Sequence, residues 1–565
     1  MTTEAGTAPG NGSPKREPTP STSLGSIPQK RAFDDVHSPA VPSPLNPDVN
    51  TSELPPHDDA SQSKGFKPTR FKKDSLKKRE AKGGGRDSSP VMPDHASSRE
   101  PNNVDSPLRY KLAPPKPSDF DLPRGPVMTL HHEIKGHGGQ GIEFFETSDH
   151  VFNKKNFRYT HCIADPLFPS TLYYRQTEPE PFGPRMSYED AATSVFFDKT
   201  GRGVTTDKGF RMARANVAVR EGRWYWECKI TQGVQEAKEP GAKPEMGRHV
   251  RVGWARREAS LDAPVGFDAY SYGIRDVAGE KVFMSRPKEF FPAGEGIREG
   301  DVIGLEIQLP SETLQRKIMS STYNPAIDAS DDADPATCAT EAGNIVRDRV
   351  PIRFRAHTYF EKIEYHTTKE LEDLMNPSPA GGGGSSSSFS SSSEPPNSLH
   401  TIPALRTLPN SYIKAYKNGK PIGTAFENLL GFLPPASKPQ PQVGAREGLD
   451  DGMLGYYPAV SIFRGGAAEV NFGPDFWYPP PPDEEASASS ADDATASSQR
   501  RRLRGIHERY KEQIAEDIVY DIIDEVDFWM QDGGGATDKA GVQEKSEAVA
   551  AAPGREEIKE LVQDD

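Results

Sequence analysis

RWYWECKI, residues Arg223–Ile230, is the stretch whose reading decides the fold. Trp224, Trp226, Cys228 and Ile230 alternate with Arg223, Tyr225, Glu227 and Lys229. Period-two alternation in a run rich in aromatic and β-branched residues marks a half-buried antiparallel strand. Similar runs recur along the chain: HVRVGWA (His249–Ala255), DVIGLEIQL (Asp301–Leu309), PIRFRAHTYF (Pro351–Phe360), YIKAYKNGK (Tyr412–Lys420), YYPAVSIF (Tyr456–Phe463) and AEVNFG (Ala468–Gly473). In KNGK, Asn418 and Gly419 both tolerate positive φ, so they predict a two-residue hairpin turn. No long helical stripe interrupts these runs. Many short strands with turn signals predict an all-β protein built on an antiparallel β-sandwich.

Working outward, the chain of 565 residues is only 34% hydrophobic, with 50 Gly and 53 Pro. Much of it cannot bury enough apolar area to offset the entropy of ordering. Residues 1–104 read as a disordered N-terminus. Within them lies a basic island, 64–86, KGFKPTRFKKDSLKKREAKGGGR. It fits a nuclear-import signal, a nucleic-acid patch or a plain solvated charge run, import being the favoured functional reading. Residues 105–186 read as an extension packing on the sandwich, which itself spans 187–482. Its inserted loops fall at 310–350, 376–396 and 433–453, and such insertions are tolerated because closure cost grows slowly with length. An acidic linker follows at 483–499, then an amphipathic helix at 503–532 and a disordered tail at 533–565.

Several function classes are disfavoured. A net charge of −14 does not suit a nucleic-acid binder as a whole. Cys162, Cys228 and Cys338 lie far apart, which excludes a cysteine zinc finger and points to a reducing compartment. The opening MTTEAGTAPGNGSP lacks a signal-peptide core, and no run of about 18 apolar residues spans a membrane. A soluble intracellular protein is expected. GHGGQG (Gly136–Gly141) matches a dinucleotide fingerprint, but IEFF and a polar turn follow it instead of a helix, so it reads as a flexible loop. His131, His132, His137, His161 and Cys162 follow no metal-ligand spacing. No nucleophile, zinc or phosphate-loop motif stands in a suitable context. The expectation is therefore no catalytic residue, no cofactor, no metal and no small-molecule substrate.

Two features point instead to binding. From Lys208 to Arg257 there are twelve Lys/Arg against five Glu. Arginines on sandwich loops can grip carboxylates bidentately, although ordinary solvated loop charge accounts for the composition equally well. The second feature is DIVYDIIDEVDFW, Asp517–Trp529. At 100° per residue, Ile514, Ile518, Val519, Ile522, Ile523, Val526, Trp529 and Met530 share one half of a helical wheel, and Asp517, Asp521, Asp524 and Asp527 share the other. A helix this rich in Ile and Val is intrinsically mediocre and frays without a surface. The stripe either folds back on its own sandwich or enters a groove of another protein. The polar linker favours the second by freeing the helix from the domain, and the acidic face excludes an anionic membrane or DNA.

GRWYWECKI, RVGWA, APVGFDAYSYGIRD, EGDVIGLEIQLP, YKNGKPIGTAF and YYPAVSIFRGGAAEVNFGPDFWYPP resemble, in order, the SPRY domain of the Ash-two/Bre-two family, over roughly 187–482. These are non-catalytic subunits of the COMPASS histone H3 lysine-four methyltransferase complex. Ile514–Trp529 resembles the family's C-terminal helix. The resemblance implies a nuclear scaffold acting in chromatin and transcription regulation, without a cofactor of its own. It would hold an acidic segment of the WD-repeat (retinoblastoma-binding or Swd-type) subunit through Phe210, Arg251, Pro264, Phe267 and Arg275. It would hold a Dpy-thirty-type dimer through Ile514, Ile518, Val519, Ile522, Ile523 and Val526. Together these contacts would keep the SET-domain catalytic subunit productive for di- and trimethylation. Nucleosomal DNA is a further implied partner through the basic island. Family members often carry Tyr where Phe210 and Phe267 stand, and a basic residue where Val277 stands. The absence of cysteines before Cys162 removes the animal zinc module and fits a fungal Bre-two form. Rival readings are a SPRY adaptor of a ubiquitin ligase and a nucleic-acid-associated SPRY protein.

Overall fold

Trp226 and Trp254 meet edge to face, with ring centroids 6.2 Å apart, where two antiparallel sheets face each other. In this computed structural model the residues described are 114–135, 141–153, 157–166, 174–234, 247–328, 345–376, 394–439, 448–480, 502–531 and 562–563. The basic island, the linker 483–499 and most of the loop 376–396 lie outside them. One sheet has ten strands, with Gly222–Gln232 at its centre between Ala467–Asn471 and Val302–Leu309, continuing to Tyr412–Lys417 and Lys420–Glu427. The facing sheet has seven, with His249–Ala255 between Ser271–Arg275 and Tyr457–Phe463, and Arg211–Ala215 beyond. Trp224, Trp226, Cys228 and Ile230 project from the first sheet, and Val250, Val252, Trp254, Val460 and Ile462 from the second. They form one continuous buried core. The fold class is the all-β antiparallel sandwich expected from the alternation.

The central strand departs from the half-buried pattern, because Tyr225 and Glu227 are buried too. The chain after Asn471 lies over them. Glu227 accepts the backbone N–H groups of Trp477 at 2.7 Å and Tyr478 at 2.8 Å, and the Tyr225 hydroxyl donates to the Tyr478 carbonyl. Beside them Glu306 takes hydrogen bonds from Arg223, Tyr412 and Tyr416, so a fully buried carboxylate is satisfied on every side. In the predicted hairpin, Asn418 has φ 50° and Gly419 φ 78°, both positive, and Lys417 pairs with Lys420 across the turn.

PIRFRAHTYF is not one strand. It folds as a hairpin of Val350–Phe354 and His357–Ile363, turning at Arg355 with φ 53°. That turn lacks the Gly or Asn that signals such a reversal, so the sequence hides it. The hairpin joins Phe157–Ala164 and Tyr174–Gln176 in a separate five-stranded sheet. Val127–Lys135 and Gly141–Ser148 instead extend the ten-stranded sheet. Gly141 thus opens a strand, not the helix a dinucleotide site needs.

Within 310–350, Glu312–Met319 forms a helix capped by Ser311, whose hydroxyl accepts the Leu314 N–H at 3.1 Å. Within 433–453, Lys438–Pro439 pairs with Tyr365–His366.

Candidate functional site: an anchored helix and an arginine face

Leu503–Gly505 runs parallel to Arg223–Tyr225 and pairs with it. Ala467–Asn471 stops at Glu227, which leaves that edge of the central strand open for it. The helix Ile506–Gln531 therefore starts from inside the main sheet. Ile506 enters the core. Arg509 donates to the Ala218 carbonyl at 3.0 Å and pairs with Glu516 at 2.6 Å. Gln513 donates to the Asn216 carbonyl at 3.0 Å and accepts the Ala218 N–H. One turn on, Gln176 donates to Asp517 at 2.9 Å. Asp521 and Asp524 are buried against Arg347 and Arg349, with four contacts between 2.8 and 3.1 Å.

The linker was expected to free this helix from the domain; instead the domain holds it. The alternative expectation, that the apolar stripe folds back, is also reversed, because the acidic side faces the domain. Ile518, Val519, Ile522, Ile523, Val526, Trp529 and Met530 are 44–60% exposed, and Ile514 is half-buried. Burial pushes the Asp517 carboxyl up to about 6, against the pull of Lys362 and Arg347. It raises Asp524 as well, against Arg347 and Arg349. The same desolvation lowers the Lys362 ammonium to about 7. Desolvation thus consumes much of what the attraction supplies.

Arg347 and Arg349 escape a reading of the sequence because they lie in a stretch, 310–350, that reads as a loop. The available signal was spacing: Arg347 and Arg349 fall two apart, on one side of an extended segment. Asp517, Asp521 and Asp524 fall at i, i+4 and i+7, on one side of a helix.

The second surface lies on the seven-stranded sheet. Arg251 and Arg275 are register partners on adjacent strands. The Arg251 guanidinium sits 4.8 Å from the centre of the Phe210 ring, which in turn packs on Phe463 at 4.8 Å. Arg275 is paired with Glu280. The loop carrying Pro264 and Phe267 is held down onto this sheet: Val265 N–H donates to Ser461 at 3.0 Å, and Ser461 is opposite Arg251. Gly266 (φ +84°) turns that loop, and a Cβ there would come within 2.4 Å of the Val282 carbonyl oxygen. Phe267 ends up exposed, Pro264 half-buried, and Val277 exposed beyond Arg275. The structure thus gathers Phe210, Arg251, Arg275 and the Pro264–Phe267 loop on one sheet.

Most of the arginine-rich stretch serves another purpose. Arg214 pairs with Asp190, Arg220 with Glu312 and Asp450, Arg256 with Glu258, and Arg257 with Glu364 and Asp451, all four arginines being buried. Arg251 differs: among the described residues it makes no ion pair and touches an aromatic face instead. Burial and the neighbouring Arg275 lower its pKa to about 10, so it is still charged at neutral pH. Of the histidine candidates, His131 and His132 lie side by side, their ring nitrogens 2.7 Å apart, on a strand of the ten-stranded sheet, whereas His161 lies on the five-stranded sheet. His131 stacks on Phe196, and His161 pairs with Glu189 at 2.9 Å. Cys162 is buried in a different cluster, and His137 lies outside the described residues. Among the described residues no group of three or more His, Cys, Asp or Glu could hold a metal ion.

No protein-family model matches the chain. A solved human SPRY domain covers 50% of this chain and 98% of its own at 13% identity and a TM-score of 0.21; the sandwich is read from the strand order, not from that likeness. Curated relatives match far more strongly. The COMPASS component cclA of Colletotrichum higginsianum is 61% identical over 585 residues, covering 100% of both chains. The COMPASS component BRE2 of Saccharomyces cerevisiae is 28% identical, covering 74% of this chain and 96% of its own. The chain belongs to the Ash-two/Bre-two family of COMPASS components.

Proposed function

We propose that the chain is a non-catalytic scaffold subunit of a Set1-type histone H3 lysine-four methyltransferase complex in the nucleus. Its C-terminal helix takes up a Dpy-thirty-type dimer, and its sandwich takes up an acidic segment of the WD-repeat subunit. Joined in this way, the subunits bias the SET-domain subunit toward its productive conformation for di- and trimethylation.

The observation that carries the reading is the solvent-facing stripe of Ile518, Val519, Ile522, Ile523, Val526, Trp529 and Met530 on a helix whose other side is already occupied. Seven large apolar side chains along one exposed helix face are what helix-in-groove binding requires. The test is capture of a Dpy-thirty-type dimer by the full chain and by the Ile518→Asp/Ile522→Asp variant. Each lost apolar contact is worth about 1.5–3 kcal/mol, so the double change should weaken capture by roughly 100-fold or more. Equal capture by both chains would sink the reading.

The WD-repeat contact rests on Arg251, a half-buried cation that lies beside the Phe210 ring and makes no ion pair among the described residues. It is suited to an incoming acidic side chain. The scaffold role also predicts that the chain alone, given S-adenosylmethionine and histone H3, methylates nothing. Robust activity of the purified chain would overturn it.

A further inference from the structure

The C-terminal helix is held by its charged side. Arg347 and Arg349 each bridge both Asp521 and Asp524, and Arg347 also reaches toward the Asp517 carbonyl oxygen at 3.5 Å. Two guanidiniums thus meet two carboxylates from a single helix face.

We propose that Arg347 and Arg349 are positioning residues that set the rotation of the C-terminal helix about its axis. They thereby hold its apolar stripe toward solvent in one orientation to the sandwich. The use of that orientation rests on the stripe being the partner-binding surface proposed above. In the free chain the hydrophobic effect favours rolling the helix to bury the stripe. Rolling would strand Arg347 and Arg349, both buried, without these counter-charges, and an unpaired buried charge is strongly unfavourable. One ion pair lets a helix pivot. Two arginines shared by two aspartates, each contact between 2.8 and 3.1 Å, constrain both rotation and slide. Because desolvation offsets most of the attraction, the network adds more to orientation than to stability. A partner captured on the stripe is then carried at a fixed angle to the sandwich, not tethered to it.

The test uses the full chain with Cys338→Ser, Lys288→Cys and Met530→Cys, spin-labelled at the two new cysteines. Cys162 and Cys228 are buried and stay unlabelled. Pulsed electron paramagnetic resonance reads the interspin distance distribution. The parent should give one narrow distribution. Arg347→Gln/Arg349→Gln and Asp521→Asn/Asp524→Asn should each broaden it at least twofold, while circular dichroism shows the sandwich still folded. Should the arginine pair fail to fold, the aspartate pair decides, since it alters only the helix. A distribution that is already broad in the parent, or still narrow in the aspartate variant, overturns the proposal. Capture of a Dpy-thirty-type dimer by the unlabelled chains is scored separately. A parent that is rigid but captures nothing refutes the partner reading and leaves the positioning role intact.

Discussion

The central strand Gly222–Gln232 and the C-terminal helix Ile506–Gln531 are amphipathic in sequence and touch each other, yet they treat their faces in opposite ways. The strand sends Trp224, Trp226, Cys228 and Ile230 into the core and then has its polar side covered as well, with Glu227 satisfied by backbone N–H groups. The helix sends Asp521 and Asp524 inward and leaves its Ile and Val stripe in water. A face that is apolar, contiguous and exposed on a well-anchored element is unfinished, whereas the strand is complete. Substitution should therefore separate the two regions: the strand carries stability, and the stripe carries association.

The largest stability effect is expected at Trp226. Trp226→Ala opens a cavity where the two sheets meet and should cost about 3–5 kcal/mol, read as a fall in the denaturant midpoint. A cost below about 1 kcal/mol would mean that the sheets do not pack as described. Acid provides the next effect. Burial alone would raise the Asp190 carboxyl, but the Arg214 and Arg158 guanidiniums and hydrogen bonds from Arg214 and Asn153 outweigh it and hold it at about 2. A depressed carboxylate contributes stability above its unfolded value, near 4, and loses it as pH falls toward 2. About 2 kcal/mol should disappear over that window in pH-dependent unfolding, and Asp190→Asn should flatten the slope.

Arg251→Ala loses a cation–π contact and should change stability by only about 1 kcal/mol. It should nevertheless abolish measurable binding of an acidic WD-repeat-subunit peptide by calorimetry; unchanged binding would move the acidic partner off this face. The smallest effect belongs to the stripe. Ile518→Asp/Ile522→Asp should leave the unfolding free energy of the isolated chain within about 0.5 kcal/mol, since both side chains already face solvent. A loss above 2 kcal/mol would mean that the stripe packs within the chain, and the contrast between strand and helix would collapse.

Period-two patterning is a local property, so the strands of Arg223–Ile230, His249–Ala255, Asp301–Leu309 and Tyr412–Lys417 could be read directly, and so could the Asn418-Gly419 turn. The reversal at Arg355 could not, because no residue there advertises positive φ. Among the arginines, composition could suggest anion binding but could not sort Arg214, Arg220, Arg256 and Arg257, which are consumed in buried pairs, from Arg251, which is not. Apart from Glu258, two residues from Arg256, their carboxylates come from distant segments, Asp450 and Asp451 among them, and only the closed fold brings those within reach.

The amino-acid order alone determines that a helix with an apolar and an acidic face follows an all-β sandwich, because side-chain periodicity is set by backbone geometry at 100° or 180° per residue. Which face the helix turns inward is decided only by tertiary structure. Apolar periodicity predicts burial of the stripe. Two buried guanidiniums, Arg347 and Arg349, reverse that outcome, because leaving them unpaired would cost more than leaving Ile518 and Ile522 in water.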